Sequence, residues 1–200
     1  YFYDYGFHGF ITPAQFDAGH PPLFYIYLTC FYFLFGKTLL AAHLSILPFT
    51  ILGIVSFISL LQHFSFSKAQ QIMGVVLFFT IPAVITQNTL VSYDAVLLSL
   101  YLATLSAYFK NNKIGFVLLV FGMLGITLRG LFCVASLSLT IFFLENKQFK
   151  TWFKWNVLFM PAIAVVGSWY MYHYTQTGWL FATKAEGWSA QRGLADAMGL

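Results

Sequence analysis

Seven apolar runs, separated by short gaps, account for most of the chain from residue 22 onward. They occupy residues 22–36, 38–62, 71–87, 92–109, 114–128, 131–144 and 155–173. Charged side chains make up 8% of the 200 residues, against about a quarter in an ordinary soluble domain, which is too few to cover a soluble surface. The pattern predicts an all-α polytopic integral membrane bundle of about six or seven apolar helices, with no soluble domain. Prolines 48, 82 and 161 fall inside these runs, where we expect kinks.

The chain divides into three stretches by composition. Residues 1–21 form a predicted external loop that holds candidate acidic residues, 22–173 a transmembrane helical module, and 174–200 the start of another external loop. The first residue is Tyr and the last stretch is polar, so we expect a piece of a longer protein. The basic residues are scattered in short gaps, which is typical of topology signals in a lipid bilayer. No nucleic-acid partner is expected.

The placement of lysines predicts the orientation. One gap, 110–113, is flanked by lysines, and a second, 145–154, contains several more. Because two apolar runs separate these gaps, both can lie on the cytoplasmic face, where Lys and Arg are in excess. Arg129 and the gap 88–94 then face the outside.

The first apolar run leaves two alternatives open. If residues 22–36 span the membrane, His20 lies in the cytoplasm. If they lie in the interface or re-enter, His20 stays outside, near Asp94 and Arg129. The run is short for a span, since a bilayer core takes about 20 helical residues, and its length favours the second alternative.

The tripeptide His20-Pro21-Pro22 stands at the start of this run. Two prolines fix φ and remove two amide donors, so a helix can begin here but cannot pass through. Asp17 lies just upstream. A carboxylate and an imidazole are therefore held where the apolar run begins.

Three motifs occur in a familiar order: Asp17-x-Gly-His-Pro-Pro-Leu-Phe-Tyr, then Ser92-Tyr93-Asp94, then Leu128-Arg129-Gly130. Together they resemble the polytopic GT-C glycosyltransferases of the protein-mannosyltransferase and aminoarabinose-transferase type, glycosyltransferase family 39 in the broad sense. The resemblance covers residues 13 to 135 and extends more loosely to 173. It implies a partial GT-C-like transmembrane module in a bacterial inner membrane. The implied activity is transfer of a sugar from a polyprenyl-phosphate donor to a lipid, glycan or protein acceptor of the cell envelope, on the external face.

The resemblance also implies roles for particular residues. Asp17, or Asp4, would be the catalytic base, because glycosyl transfer needs a group that takes the acceptor's proton. His20, Arg129 and Asp94 would bind the lipid phosphate or sugar. Each has a plainer alternative: Asp17 as a turn residue or cap, Asp4 as a surface carboxylate, and His20 as the start of a helix. Arg129 could snorkel to water, and Asp94 could be a favourable charge at a helix N-terminus.

The sequence leaves the cofactor open, a divalent metal ion being one option. No zinc-ligand spacing, P-loop or nucleotide fingerprint is present, and a nucleotide-sugar donor therefore has no support. Two other functions fit the composition. A transporter or channel subunit would place ionisable residues at mid-membrane on broken helices, and a non-catalytic membrane assembly protein would leave the ordered motifs unexplained.

Overall fold

A computed structural model describes residues 2–5, 20–145 and 148–178. Every regular element in this part of the chain is an α-helix, so the all-α prediction is confirmed there. The helices follow one another as α1 (Phe2–Tyr5), α2 (Leu23–Phe35), α3 (Leu39–His63), α4 (Lys68–Phe79), α5 (Pro82–Thr89), α6 (Tyr93–Phe109), α7 (Lys113–Ile126), α8 (Arg129–Leu144), α9 (Phe149–Val157) and α10 (Met160–Thr177).

Two of the apolar runs are broken where the sequence predicted kinks. Pro82 is the first residue of α5, and α4 and α5 meet at 68°. Pro161 is the second residue of α10, which is separate from α9. Pro48 alone of the three lies inside a helix, α3. Proline suits the first turn of a helix, where its missing N–H leaves no bond unmade, and both breaks use that position.

The ends of the helical module also differ slightly from the prediction. Residues 2–5, in the expected external loop, form the single turn α1. Helix α10 continues to Thr177, so residues 174–177 are helical and not part of the last loop. Gly178 ends the helix with φ of 76°, the left-handed conformation that glycine adopts without strain.

Helix α6 lies at the centre of the core and is buried along its length, from Ala95 to Tyr108. Helix α3 packs beside it in the same direction. A Cβ on Gly53 would lie 2.8 Å from the Ser99 hydroxyl, and farther along the pair Ser106 donates to Ser59 at 3.0 Å. These small residues allow close approach of the two helices.

The bundle has two chemically different ends. At the first, which we call the Pro–Pro end, His20 lies against Tyr93, and α7 turns into α8. At the second, which we call the lysine end, Tyr108 donates to Glu145 at 2.5 Å. Lysines 68, 110, 113, 150 and 154 begin or flank the helices at this end.

Helix α2 starts at the Pro–Pro end and does not cross the bundle. Leu23, its first residue, packs on Gly125 at the end of α7. Tyr27 donates to the Ser45 carbonyl at 2.7 Å, near the start of α3. Since α3 itself runs from the Pro–Pro end to the lysine end, both termini of α2 lie on the side where α3 begins. His20 is therefore on the same side as Arg129.

Within residues 2–5, 20–145 and 148–178, one helix is long and apolar enough to cross a membrane: α3, with 25 residues. Helices α4 and α5 would provide a second crossing if the bent pair counts as one span. The other apolar helices, α2, α6, α7 and α8, are shorter, at 13 to 17 residues.

The α7–α8 turn depends on the absence of a side chain at Gly130. A Cβ there would lie 1.9 Å from the Met123 carbonyl oxygen and 2.5 Å from its carbon. Gly130 also donates its amide to the Thr127 carbonyl at 2.9 Å. Both obstructing atoms are backbone, so the start of α8 can pack on α7 in this way only with glycine at this position.

We expect Gly130→Ala to lower the free energy of unfolding by about 1–3 kcal/mol or more, because the new methyl group overlaps backbone that cannot rotate away. Gly167→Ala is the matched control: a Cβ there meets nothing within 4 Å, and alanine favours a helix interior by about 0.5–1 kcal/mol. Denaturant unfolding of both variants in one detergent measures the difference. A Gly130→Ala protein as stable as the wild type would contradict the close approach.

Candidate functional site

Three of the five sequence-predicted site residues lie together at the Pro–Pro end. His20 immediately precedes the prolines that start α2, Asp94 lies in the first turn of α6, and Arg129 is the first residue of α8. Each therefore stands at a helix terminus. Three segments that are distant in sequence meet here because α6 and α8 both begin at this end.

Asp94 and Arg129 form an ion pair. Nη1 of Arg129 donates to both carboxylate oxygens of Asp94, at 2.8 and 2.7 Å. The side chains are 62% and 33% exposed, so the pair contributes little to stability. Both bonds use the same nitrogen, which leaves the fork formed by Nη2 and Nε unengaged by Asp94. Such a fork matches the geometry of a phosphate.

Asp94 is held by the start of its own helix. Ser92 is the N-cap of α6, and its hydroxyl accepts from the Asp94 amide at 3.3 Å. That hydroxyl donates in turn to Gln87 at 2.7 Å. A carboxylate in the first turn is also favoured by the helix dipole, so the plainer interpretation of Asp94 holds together with its pairing to Arg129.

His20 contacts both of the other segments. Its ring meets Tyr93 edge-on, with centroids 5.2 Å apart, and its Nδ1 lies 3.4 Å from the Thr127 hydroxyl. Which of the two donates depends on the tautomer of the imidazole. Thr127 is fully buried. Two residues after it comes Arg129, so the histidine is linked to the arginine through the α7–α8 turn.

An apolar cavity of about 160 Å³ opens beside this cluster. Thr127 lines it and so connects it to His20. The other lining residues come from α7, α8, α10 and the turn, and they are Leu124, Leu128, Leu131, Ile163, Val166, Gly167 and Tyr170. The Pro–Pro end thus places charged and hydrogen-bonding groups next to a hydrocarbon-like space.

The two candidate bases have different positions. Asp4 accepts from Lys37 at 2.7 Å, and its neighbour Tyr3 stacks on Phe33 at 5.0 Å. These contacts are at the C-terminal end of α2, about 20 Å along the helix from His20 at 1.5 Å per residue. The structure therefore does not bring Asp4 to the cluster. Asp17 lies outside the described residues.

Sequence reasoning missed Thr127 and Tyr93 as part of this arrangement. Tyr93 belongs to the Ser92-Tyr93-Asp94 motif but carried no assigned role. Thr127 is a hydroxyl at the end of an otherwise apolar run, and its place directly before Leu128-Arg129 is the signal that could have identified it. Among the described residues, no group of three or more His, Cys, Asp or Glu side chains is placed to hold a metal ion.

Comparison of the chain with models of known protein families, with curated proteins and with solved structures gives no match.

The Asp4–Lys37 pair gives a pH-dependent prediction. The hydrogen bond from Lys37 lowers the pKa of Asp4 below its ordinary 3.8, and the same bond raises the pKa of Lys37 above 10.5. The ion pair between Asp4 and Lys37 is therefore fully formed between these ordinary values. It is lost as the pH falls through the lowered Asp4 pKa or rises through the raised Lys37 pKa. In Lys37→Gln we expect the pKa of Asp4, followed by NMR of its carboxyl carbon, to return toward 3.8. An unchanged pKa would mean that the pair does not form.

Proposed function

We propose that the chain belongs to a multi-pass membrane glycosyltransferase that takes a sugar from a polyprenyl-phosphate donor. It passes that sugar to a lipid, glycan or protein acceptor on the non-cytoplasmic face of a bacterial inner membrane. One observation carries the proposal: an arginine and a histidine lie beside an apolar cavity at a single end of the bundle. A polyprenyl-phosphate sugar has the same two parts, an anionic phosphate and a hydrocarbon chain.

The proposed phosphate site uses Arg129 and His20. The guanidinium is charged at any pH at which the protein is folded, and Asp94 fixes its direction while engaging one nitrogen. A proton on His20 would add a second donor to the phosphate. In this proposal Asp94 is a positioning residue and does not touch the reacting atoms.

The cavity beside Thr127 is the proposed place for the start of the isoprenoid chain. Apolar cavities of about 150 Å³ stay dry and hold a benzene-sized guest. By that standard this cavity, of about 160 Å³, has room for about one five-carbon isoprene unit. The remainder of the chain would lie in the bilayer.

In the proposed reaction the acceptor hydroxyl attacks C1 of the sugar, and the bond between C1 and the phosphate oxygen breaks. The electron pair of that bond leaves with the polyprenyl phosphate, whose charge Arg129 and His20 stabilise. The hydroxyl proton passes to the Asp17 carboxylate. We assign the base to Asp17 because Lys37 holds Asp4 at the other end of α2.

The shape of the bundle supports the membrane placement. Helix α6, with 17 residues, is about 26 Å long, close to the bilayer core of about 30 Å. The concentration of lysines at one end follows the bias of cytoplasmic segments, which supports an external position for the Pro–Pro end. The charged cluster lies at helix termini and not in mid-helix, which favours an interfacial enzyme over a transporter.

Transfer of radiolabel from a polyprenyl-phosphate sugar by the purified protein tests the activity. We expect Arg129→Gln to raise the KM for the donor about 10- to 100-fold, the loss expected for a charged hydrogen bond. Lys150→Gln, which removes a cation at the lysine end, should leave the KM unchanged. Donor flux across a vesicle without transfer to an acceptor would contradict an enzyme and favour a transporter.

Substitution of Asp17 and of Asp4 in turn tests which of the two aspartates is the base. Asp17→Asn should lower turnover about 10²- to 10⁴-fold, the range for loss of general base catalysis, while binding of the donor is retained. Asp4→Asn makes the same chemical change in the same segment and should keep most of the turnover. The reverse pattern would assign the base to Asp4, in disagreement with its distance from His20.

A further inference from the structure

The lysine end carries a cavity that the proposed reaction does not use. It measures about 520 Å³ and lies between the α6–α7 turn and helix α9. The turn contributes Asn111, α7 contributes its first residue, Lys113, and α9 contributes Lys154 among apolar neighbours. The described residues that line it are Asn111, Lys113, Phe153, Lys154, Trp155, Val157 and Leu158. Two cations and an amide therefore share one space with aromatic and aliphatic walls.

Helix α9 presents an exposed apolar stripe beside its lysines. Phe149, Phe153 and Val157 recur every four residues and are 64%, 54% and 46% exposed. Lys150 and Lys154 follow the first two of them directly. A helix with exposed aromatic residues next to lysines is typical of a segment that lies in the membrane interface and meets anionic lipids.

The orientation of α9 is fixed by its contacts with the rest of the bundle. The Trp152 indole donates to the Ser138 carbonyl at 3.0 Å, and the Ser138 hydroxyl donates to Asn156 at 2.6 Å. Trp155 is buried against Tyr108 and Phe116, with ring centroids 4.9 and 5.0 Å away. The stripe and the cavity are consequently held in place by contacts with α6, α7 and α8.

The turn on the other side of the cavity is also well defined. Asn111 has φ of 53°, a conformation that asparagine tolerates better than most residues. The Asn112 side chain accepts from the Gly115 amide at 2.9 Å and caps α7. Lys113 therefore starts a capped helix, and the described residues that line the cavity include no acidic side chain. Glu145 lines the adjacent cavity, where it accepts from Tyr108.

We propose that this cavity is a binding site for an anionic phospholipid of the cytoplasmic leaflet. The lipid phosphate lies between Lys113 and Lys154, the glycerol hydroxyls reach Asn111, and an acyl chain runs over Phe153 and Val157. Basic pockets between helices on the cytoplasmic side bind anionic headgroups in this way. The inference rests on the membrane placement proposed above but not on glycosyl transfer.

The experiment is native mass spectrometry of the purified protein after exposure to mixed micelles of phosphatidylglycerol and phosphatidylcholine, with no sugar donor present. We expect selective retention of phosphatidylglycerol. The double variant Lys113→Gln/Lys154→Gln should bind it about 25-fold more weakly, at about fivefold for each lysine. Lys150→Gln removes a charge one turn earlier on the same helix, outside the cavity lining, and should weaken binding by clearly less than the roughly fivefold loss expected for either cavity lysine.

Three outcomes would overturn the proposal. The protein could retain phosphatidylcholine as well as phosphatidylglycerol, Lys150→Gln could weaken phosphatidylglycerol binding as much as the double variant does, or millimolar inorganic phosphate could displace the lipid. The last would indicate a site for a soluble anion. If the double variant does not fold, the wild-type preference between the two lipids and the phosphate competition still decide the question, and Lys113→Arg/Lys154→Arg should keep the preference. Because no sugar is transferred, failure here is distinct from failure of the glycosyltransferase proposal.

Discussion

The close contact between the start of α8 and the backbone of α7 determines where the charged residues of the Pro–Pro end can lie. Gly130 has no space for a Cβ beside the Met123 carbonyl, so the two helices pack closely at this turn. Arg129 and Thr127 are adjacent to that contact, one directly before the glycine and the other within the turn. The direction of the guanidinium toward Asp94 and the placement of the Thr127 hydroxyl beside His20 both follow from it.

Hydropathy predicted the helices well where a run had clear polar ends. Helix α6 matches the run 92–109 to within a residue because Ser92 and Asp94 mark its start and lysine its end. The breaks at Pro82 and Pro161 could not be predicted from the same signal. Proline is compatible both with a kinked helix and with the first turn of a new one, and the flanking residues are apolar in either case. Tertiary packing decides between them.

Part of the candidate site could be predicted from the sequence, for an energetic reason. An arginine and an aspartate next to apolar segments are costly apart and tolerable together, and this argument pairs Arg129 with Asp94 without coordinates. The contacts of His20 had no such signal. Tyr93 begins one apolar helix and Thr127 follows the end of another, and their proximity to His20 arises only because α2 starts at the Pro–Pro end. The sequence left that point open between two topologies.

The two ends of the bundle differ in the way that their cations could bind an anion. At the Pro–Pro end, Asp94 already pairs with Arg129. The carboxylate fixes the direction of the guanidinium and lowers the net charge of the pair, so an anion that binds there must fit the fork of Arg129 that Asp94 leaves open. At the lysine end, Lys113 and Lys154 line a cavity that has no carboxylate among its described lining residues. The four-carbon stems of lysine allow the ammonium groups to adjust. A prearranged guanidinium suits selective recognition of one phosphate in a fixed orientation. Mobile ammonium groups over an apolar floor suit a lipid that needs to be held but not aligned.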